Sequence, residues 1–316
     1  MSGVPVSVVL PTFGREELLC RTLADLLRLD QPDLEIVVVD QTPVHRPPTE
    51  TFLDALPDRV VRVRQEQPSV VVAANAGVRV ARGEILVFVD DDIHVPGRDL
   101  VTLHLRNYDD PGVAGVAGRV LDAQRPEPGR FDPRSADPVW GFFHTGWSHD
   151  TRCDVWTAPG ANMSFRRQVV LGLGGFDERF RGNAFRWEND FCVRVRNAGG
   201  RVVYDPGPTV HHFYASPGGN DNRHLLGRDP GSHRWYRNFF HNHVYCSLKH
   251  QPRASVPPLL WKLYRGHVLN RPYVTAGPAF VLARHRAYVA GVRAAWATYG
   301  EWRRASANGS LRCARA

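Results

Sequence analysis

Residues 68–93, PSVVVAANAGVRVARGEILVFVDDDI, decide how the chain is read. Val70 to Ala81 carries apolar residues at helical spacing and closes at the Arg82-Gly83 break, so it predicts a helix. Ile85 to Val89 is apolar at every position and runs straight into Asp90, Asp91 and Asp92. A strand without polar alternation is buried on both faces, as parallel strands in α/β sheets are. In such sheets ligands collect beyond the carboxyl ends of the strands.

The same pattern extends outward in both directions. Val6 to Leu10 predicts a first strand ending at Pro11, followed by a helix over Arg15 to Leu29 with Leu18, Leu19, Leu23, Leu26 and Leu27 at helical spacing. Glu35 to Val39 is a second strand ending in Asp40, Val60 to Val63 a short third, and Val113 to Val120 a further one. Residues 121–157, rich in Pro, Gly, Asp and Trp, read as a long functional loop. A helix is expected from Arg166, a helix or strand-to-helix transition in WENDFCVRVRNAGG, a last short strand at Val202 to Tyr204, and helices from His233 onward. The fold expected is a mostly parallel α/β sheet with helices on both faces and a helical C-terminal extension.

Three neighbouring carboxylates repel unless a cation or strong donors offset them, and hard divalent cations such as Mg²⁺ or Mn²⁺ prefer oxygen ligands. Along extended backbone, Asp90 and Asp92 share one side and Asp91 faces the other, so the first and third can hold one ion. The competing reading is a solvated acidic turn. There is no G-x-x-x-x-G-K-[ST] phosphate loop, and no G-x-G-x-x-G follows the first strand, where PTFGR stands instead. An aspartate-held cation commonly completes its shell with substrate phosphates, which points to a nucleoside diphosphate compound.

Composition narrows the class further. With 316 residues, 43% hydrophobic and 23% charged, the chain is globular, and five scattered cysteines without a CxxC suggest neither a disulfide framework nor a zinc site. A reducing cytoplasm is expected, and MSGVPVSVVLPTFGR reads as a strand rather than a signal peptide. The net charge of +8 is unevenly placed. Residues 250–316 hold eleven Lys/Arg against one acid, Glu301, whereas the other 249 residues hold 29 basic against 31 acidic side chains. A near-neutral body argues against nucleic-acid binding. The basic tail, with Trp261, Tyr264, Trp296, Tyr299 and Trp302 among its arginines, suits an anionic membrane surface, a helical cap or a dimer face, and is too charged to span a bilayer.

Six segments in order, VSVVLPTFGREELL, EIVVVDQT, PSVVVAANAGVRVARGEILVFVDDDI, GANMSFRR, GGFDERF and WENDFCVRVRNAGGRVVYDPGPTVHH, resemble family 2 glycosyltransferases of the GT-A fold over roughly residues 4–215. The resemblance implies an inverting, metal-assisted enzyme that moves a sugar from a nucleotide-sugar donor to a glycan, lipid-linked or small-molecule hydroxyl. It implies a domain over residues 1–245, with a nucleotide-binding half at 4–120 and an acceptor-binding half at 121–245, and a basic helical extension at 246–316. Pro11, Thr12 and Asp40 then hold the base and ribose. Asn75 and Arg79 lie where the family usually shows an Arg-Asn pair, with Ala74 in place of the Arg. Asp90 and Asp91 serve the nucleotide sugar, Asp92 is the direct metal ligand, and His211 or His212 completes the metal or diphosphate site. Gly160, Asn162 and Met163 line the sugar pocket. The general base is Glu188 if the segment is aligned on RVRNAGG, or Asp190 if aligned on the acids; the alternative for either is a helix cap. Trp140, Phe142, Phe143, Trp147 and Trp156 stack on an acceptor ring or seal the core. The rival readings are a nucleotidyltransferase, weakened by having only Lys249 and Lys262, and an inactive carbohydrate- or partner-binding protein.

Overall fold

In the apolar strands, side chains at odd and even positions enter two different cores, and this sets the layers. The computed structural model describes residues 5–133, 146–182, 184–215 and 233–307. Its strands are β1 (Val6–Thr12), β2 (Leu34–Asp40), β3 (Val60–Arg64), β4 (Ile85–Val89), β5 (Ile93–His94), β6 (Val113–Asp122), β7 (Cys153–Asp154), β8 (Asn162–Arg166) and β9 (Arg201–His212). They form one sheet in the order β3-β2-β1-β4-β8-β6-β9-β5, with β7 added on β9. The nucleotide half β3-β2-β1-β4 is parallel, as the sequence pattern requires. β8 runs antiparallel to both β4 and β6, and β5 and β7 run antiparallel to β9, so the sheet is mixed.

The helices are α1 (Glu16–Leu27), α2 (Pro47–Asp54), α3 (Val70–Val80), α4 (Leu100–Leu105), α5 (Arg167–Gly172), α6 (Trp187–Asn197), α7 (His233–His250), α8 (Val256–His267), α9 (Arg271–Thr275) and α10 (Pro278–Ala307). Val8 and Leu10 of β1, Ile36 and Val38 of β2, and Val87 and Val89 of β4 meet Leu19, Leu23 and Leu26 of α1 and Leu100 and Leu105 of α4. Val9, Val37, Val39, Leu86 and Phe88 point the other way, into a core built with Val71 and Val78 of α3, Phe191 of α6, and Tyr236, Phe240 and Tyr245 of α7.

Several expectations are corrected here. Strand character at 162–166 precedes the helix expected from Arg166, because NMSFR lies between β4 and β6 and pairs with both. The last strand extends to His212 rather than Tyr204, since β6 supplies a parallel partner along its whole length through two register shifts. Helix α2, which opens on Pro47 and Pro48, carries too few apolar residues to be read from periodicity. Beyond the end of β6 at Asp122, the described residues up to 157 contain only β7 as regular structure. The expected boundary at 245/246 falls inside α7, where Tyr245 and Cys246 are fully buried and continuous with the main core. No helix among the described residues is long and apolar enough to cross a membrane.

Asn75 shows how a polar side chain fixes this layer. From inside α3 its amide donates to the Phe176 carbonyl at 2.9 Å and to Glu178 Oε1 at 2.8 Å, and its oxygen accepts from Phe176 N–H at 2.8 Å. Gly175 (φ +74°) lies so close that a Cβ there would stand 2.7 Å from Asn75 Oδ1, so the turn takes glycine for both conformation and space. The amide is therefore spent on the 174–178 turn rather than offered to a nucleotide. Asn75→Ala should leave both backbone groups of Phe176 unmet and lower unfolding free energy by about 2–3 kcal/mol, measurable by urea denaturation with nucleotide binding followed in parallel.

Candidate active site

At the end of β4 the three carboxylates are separated by their partners. Asp91, 4% exposed, accepts from Thr12 Oγ1 at 2.6 Å and pairs with Arg15 Nη1 at 2.5 Å. Asp92, fully buried, also pairs with Arg15 at 2.7 Å, accepts from Ala215 N–H at 2.7 Å and faces His212 Nε2 at 3.0 Å. Asp90 is half-buried, and its carboxylate lies 3.3 Å from the same imidazole nitrogen. One ligand atom from each of Asp90, Asp92 and His212 falls within 4.8 Å of the others.

This donor set fits a hard divalent cation: two carboxylates on one side of the strand end, and an imidazole nitrogen aimed at them. His212 Nδ1 is buried with no hydrogen-bond partner among the described residues, so the contacts that orient the ring come from Nε2 and from Tyr214, whose ring centroid is 4.0 Å away. His211 lies on the opposite side of β9, ring to ring with His94 at 5.9 Å, and takes no part in the cluster.

The electrostatics follow from these contacts. Burial works against charge on His212, yet hydrogen bonds to Asp90 and Asp92 lift it to about 9. Burial would raise Asp92, but His212 and Arg15 hold it below the usual carboxylate range. Asp91 is pushed up to about 6 by burial, with Asp92 adding repulsion and Arg15 opposing.

Asp40 ends β2 fully buried, but its oxygens are already taken. Oδ1 accepts from Thr42 N–H at 2.9 Å, while Oδ2 meets His45 Nε2 at 3.0 Å, Arg62 Nη2 at 2.9 Å and Arg64 Nη1 at 2.7 Å. Its observed work is to gather Arg62 and Arg64 at the strand end. Asn162 is likewise committed: its oxygen faces His104 Nε2 at 2.8 Å, and its amide donates to the Arg119 and Pro208 carbonyls at 3.0 and 2.9 Å. With no exposure at all, Asn162 locks β8 to β6 and β9 and does not face a pocket. Met163 is also fully buried, in the core, and Arg79 is exposed at the end of α3. Pro11 is partly buried in the β1 end.

The two candidate bases, two residues apart on α6, have opposite surroundings. Glu188 lies over Gly160, where a Cβ would stand 2.9 Å from its Oε1, and it has no ion-pair partner among the described residues. Burial raises Glu188 to about 8, with Asp90 adding to the shift and Arg186 and backbone N–H groups opposing it. Asp190 is fully buried, ion-paired with Lys249 and with Arg194 at 3.0 Å, and hydrogen-bonded to His250 Nε2 at 2.8 Å. Burial would raise Asp190, but Lys249 and Arg194, with the hydrogen bond to His250, hold it well below the ordinary range. Lys249 also reaches Asp177 at 2.7 Å, so the 177–180 turn, the first turn of α6 and the end of α7 meet at one ammonium. Asp190 thus fastens the helix that carries Glu188.

Sequence reading missed Arg15, whose signal was its place just after the first strand, and the Lys249–His250 pair, for which no local signal exists. Of the aromatics, Trp147 packs on Tyr204 and Trp156 lies under Arg196, whereas Trp140, Phe142 and Phe143 fall outside the described residues.

Sequence and fold both place the chain among known proteins. The sequence profile of glycosyl transferase family 2 matches residues 7–173, more than half of the chain, which therefore belongs to that family. It is a glycosyltransferase of the nucleotide-sugar-dependent kind. A glucosyl-dolichyl phosphate glucuronosyltransferase from Haloferax volcanii is 26% identical over 66% of this chain and 68% of its own length. The succinoglycan biosynthesis protein ExoM from Rhizobium meliloti is 28% identical over 63% of this chain and 64% of its own. The chain thus matches about two-thirds of the length of these relatives. A mannosyltransferase from Pyrobaculum calidifontis, solved in complex with GDP-Man and Mn²⁺, shares the fold at a TM-score of 0.54, with 21% identity over 95% of this chain and 80% of that one.

Because Asp90 and Asp92 hold the His212 proton up to about 9, a cation must displace that proton to use the imidazole. Affinity for Mn²⁺ should therefore rise with pH below about 9, by roughly tenfold per unit. Calorimetry in buffers of different ionisation enthalpy should record about one proton released per ion. A pH-independent affinity would exclude His212 from the site, and Asp90→Asn/Asp92→Asn should abolish Mn²⁺-dependent nucleotide binding while the fold persists.

Proposed function

We propose that the enzyme is an inverting glycosyltransferase in which Glu188 is the general base and Asp90, Asp92 and His212 hold a Mg²⁺ or Mn²⁺ ion against the donor diphosphate. The observation that carries this reading is the contrast on α6: Glu188 is free of ion pairs among the described residues and is electrostatically coupled to Asp90, whereas Asp190 is consumed by Lys249, Arg194 and His250. When bound, the ion would neutralise charge on the departing nucleoside diphosphate. Glu188 takes the proton of the acceptor hydroxyl as that oxygen bonds to the anomeric carbon, and the bond from that carbon to the diphosphate oxygen breaks on the opposite face. The configuration inverts in a single displacement. Thr12 and Arg15 would hold Asp91 out of the ion's way and keep the strand end in place.

The acceptor is proposed to be a glycan or a lipid-linked glycan. The Haloferax relative's name describes a dolichyl-phosphate-linked substrate and the Rhizobium relative's the biosynthesis of succinoglycan, and a glycan or lipid-linked glycan presents a sugar hydroxyl of the kind a partly buried carboxylate can deprotonate. Arg62 and Arg64, gathered by Asp40, are proposed to face the nucleotide base and ribose in place of the Asp40 carboxylate itself. The cationic extension is proposed to bring the enzyme to an anionic membrane surface on the cytoplasmic side.

Glu188→Gln should keep donor affinity while turnover falls by roughly 10²–10⁴-fold, the usual share of a general base. A base whose proton is held to about 8 must lose it before it can act, so kcat/KM of the wild type should rise with pH toward about 8, and that limb should vanish in Glu188→Gln. The linked stability has the opposite sign: Glu188 binds its proton more tightly folded than unfolded, so its contribution to stability is present below the unfolded pKa of about 4.3 and declines as pH rises through about 8. Asp190→Asn should instead lower stability and act on turnover only through the placement of α6. Loss of turnover in Asp190→Asn with none in Glu188→Gln would reverse the two roles.

A further inference from the structure

The helical extension combines three features that the transfer reaction does not use. From His233 to Gly300 there is no Asp or Glu, and Glu301 is the single acid of the described helices α7 to α10. Six of the eleven large hydrophobic side chains exposed among the described residues sit there: Trp261, Leu269, Val274, Leu282, Val289 and Trp296. On α10, Leu282, Val289 and Trp296 follow one another at seven-residue intervals and so share one face, with Arg286 and Arg293 four residues after the first two on the same side. That stripe is about 21 Å long at the helical rise of 1.5 Å per residue. Where α8 turns into α9, Trp261, Lys262, Arg265, Leu269 and Arg271 line an open hollow of about 560 Å³.

The helices are not a loose tail. Phe240 of α7 meets Tyr288 of α10 at 5.1 Å between ring centroids, Arg284 lies buried 3.3 Å over the Tyr236 ring, and the end of α7 is fastened to α6 through Lys249 and Asp190. The inner face of the extension is thus used for the core, and the exposed cations and apolar groups belong to its outer side.

We propose that this outer side is an interfacial docking surface for an anionic phospholipid bilayer, the α10 stripe entering the headgroup boundary and the α8–α9 hollow receiving a lipid phosphate. The inference rests on the membrane reading given under the proposed function and specifies the surface that performs it. The chemistry selects this occupant. An interfacial helix keeps an apolar stripe in the headgroup region and basic residues beside it, with little net hydrophobicity, which is the arrangement of α10. A second copy of the chain would oppose one cationic face to another, which costs energy with Glu301 the single acid of these helices to relieve it. A nucleic acid would engage the arginines but leave Leu282, Val289 and Leu269 in water, whereas a bilayer accepts both.

The experiment sediments the full-length chain with vesicles of phosphatidylcholine alone and of phosphatidylcholine containing phosphatidylglycerol, at low and high salt. Binding should require the anionic lipid and weaken as salt rises. Arg286→Ser/Arg293→Ser should lower the partition coefficient roughly thirtyfold, the effect of two surface charges, while Leu282→Ser/Trp296→Ser should lower it at low salt as well. Mn²⁺-dependent binding of a nucleoside diphosphate should be unchanged in both variants, which separates failure of this surface from failure of the glycosyl-transfer reading. Equal binding to neutral and anionic vesicles, wild-type partitioning in both variants, or tighter binding to a DNA duplex that the apolar variant leaves intact would overturn the proposal.

Discussion

Three consecutive aspartates at the end of a buried strand are the constraint around which this molecule is arranged. Uncompensated carboxylates in a low-dielectric interior are costly enough to become protonated or to unfold the site, so each must be given its own counter-group. Arg15 and Thr12 take Asp91; His212 and the Ala215 amide take Asp92, with Arg15 shared between the two aspartates. Asp90 alone stays half in water beside the same imidazole. These partners come from the β1–α1 turn and from the end of β9, so satisfying the charges brings the two halves of the sheet to one point.

The wedge strand β8 makes this closure possible. Its antiparallel insertion between β4 and β6 carries Asn162 and Ser164 into a wholly buried polar chain with His104, Tyr108 and the β6 and β9 backbones. Such a chain is favourable only when every member is satisfied, and here burial keeps His104 neutral, pushed down to about 4, so that it serves as a hydrogen-bonding group and not as a charge. With that seam fixed, Gly160 just before β8 presents backbone to Glu188, and the space a Cβ would fill is occupied by the carboxyl.

On α6, two acids separated by a single residue have been given opposite work by their neighbours. Asp190 is enclosed by Lys249, His250 and Arg194, the first two of them from the end of α7, and this gives a basic C-terminal segment a structural reason beyond its surface charge. The extension is therefore part of the main core on one side and a cationic, apolar surface on the other.

What the sequence determined by itself were the features that depend on near neighbours: β1, β2, β3 and β4 with helices α1 and α3, the carboxyl-end position of Asp90 and Asp92, and their shared side of the strand. Apolar runs and two-residue alternation are local, and nothing in the tertiary structure competes with them. Only the tertiary structure decided between His212 and His211, between free and ion-paired acids on α6, and between ligand-facing and lattice-building roles for Asn75, Asn162 and Asp40. Those outcomes rest on partners far along the chain: His212 stands 120 residues from Asp92, His250 stands 60 from Asp190, and Phe176 stands 101 from Asn75. An amide or a carboxylate in a sequence declares what it can bond to, but whether that capacity is already spent inside the fold depends on the distant backbone and cations that folding delivers to it.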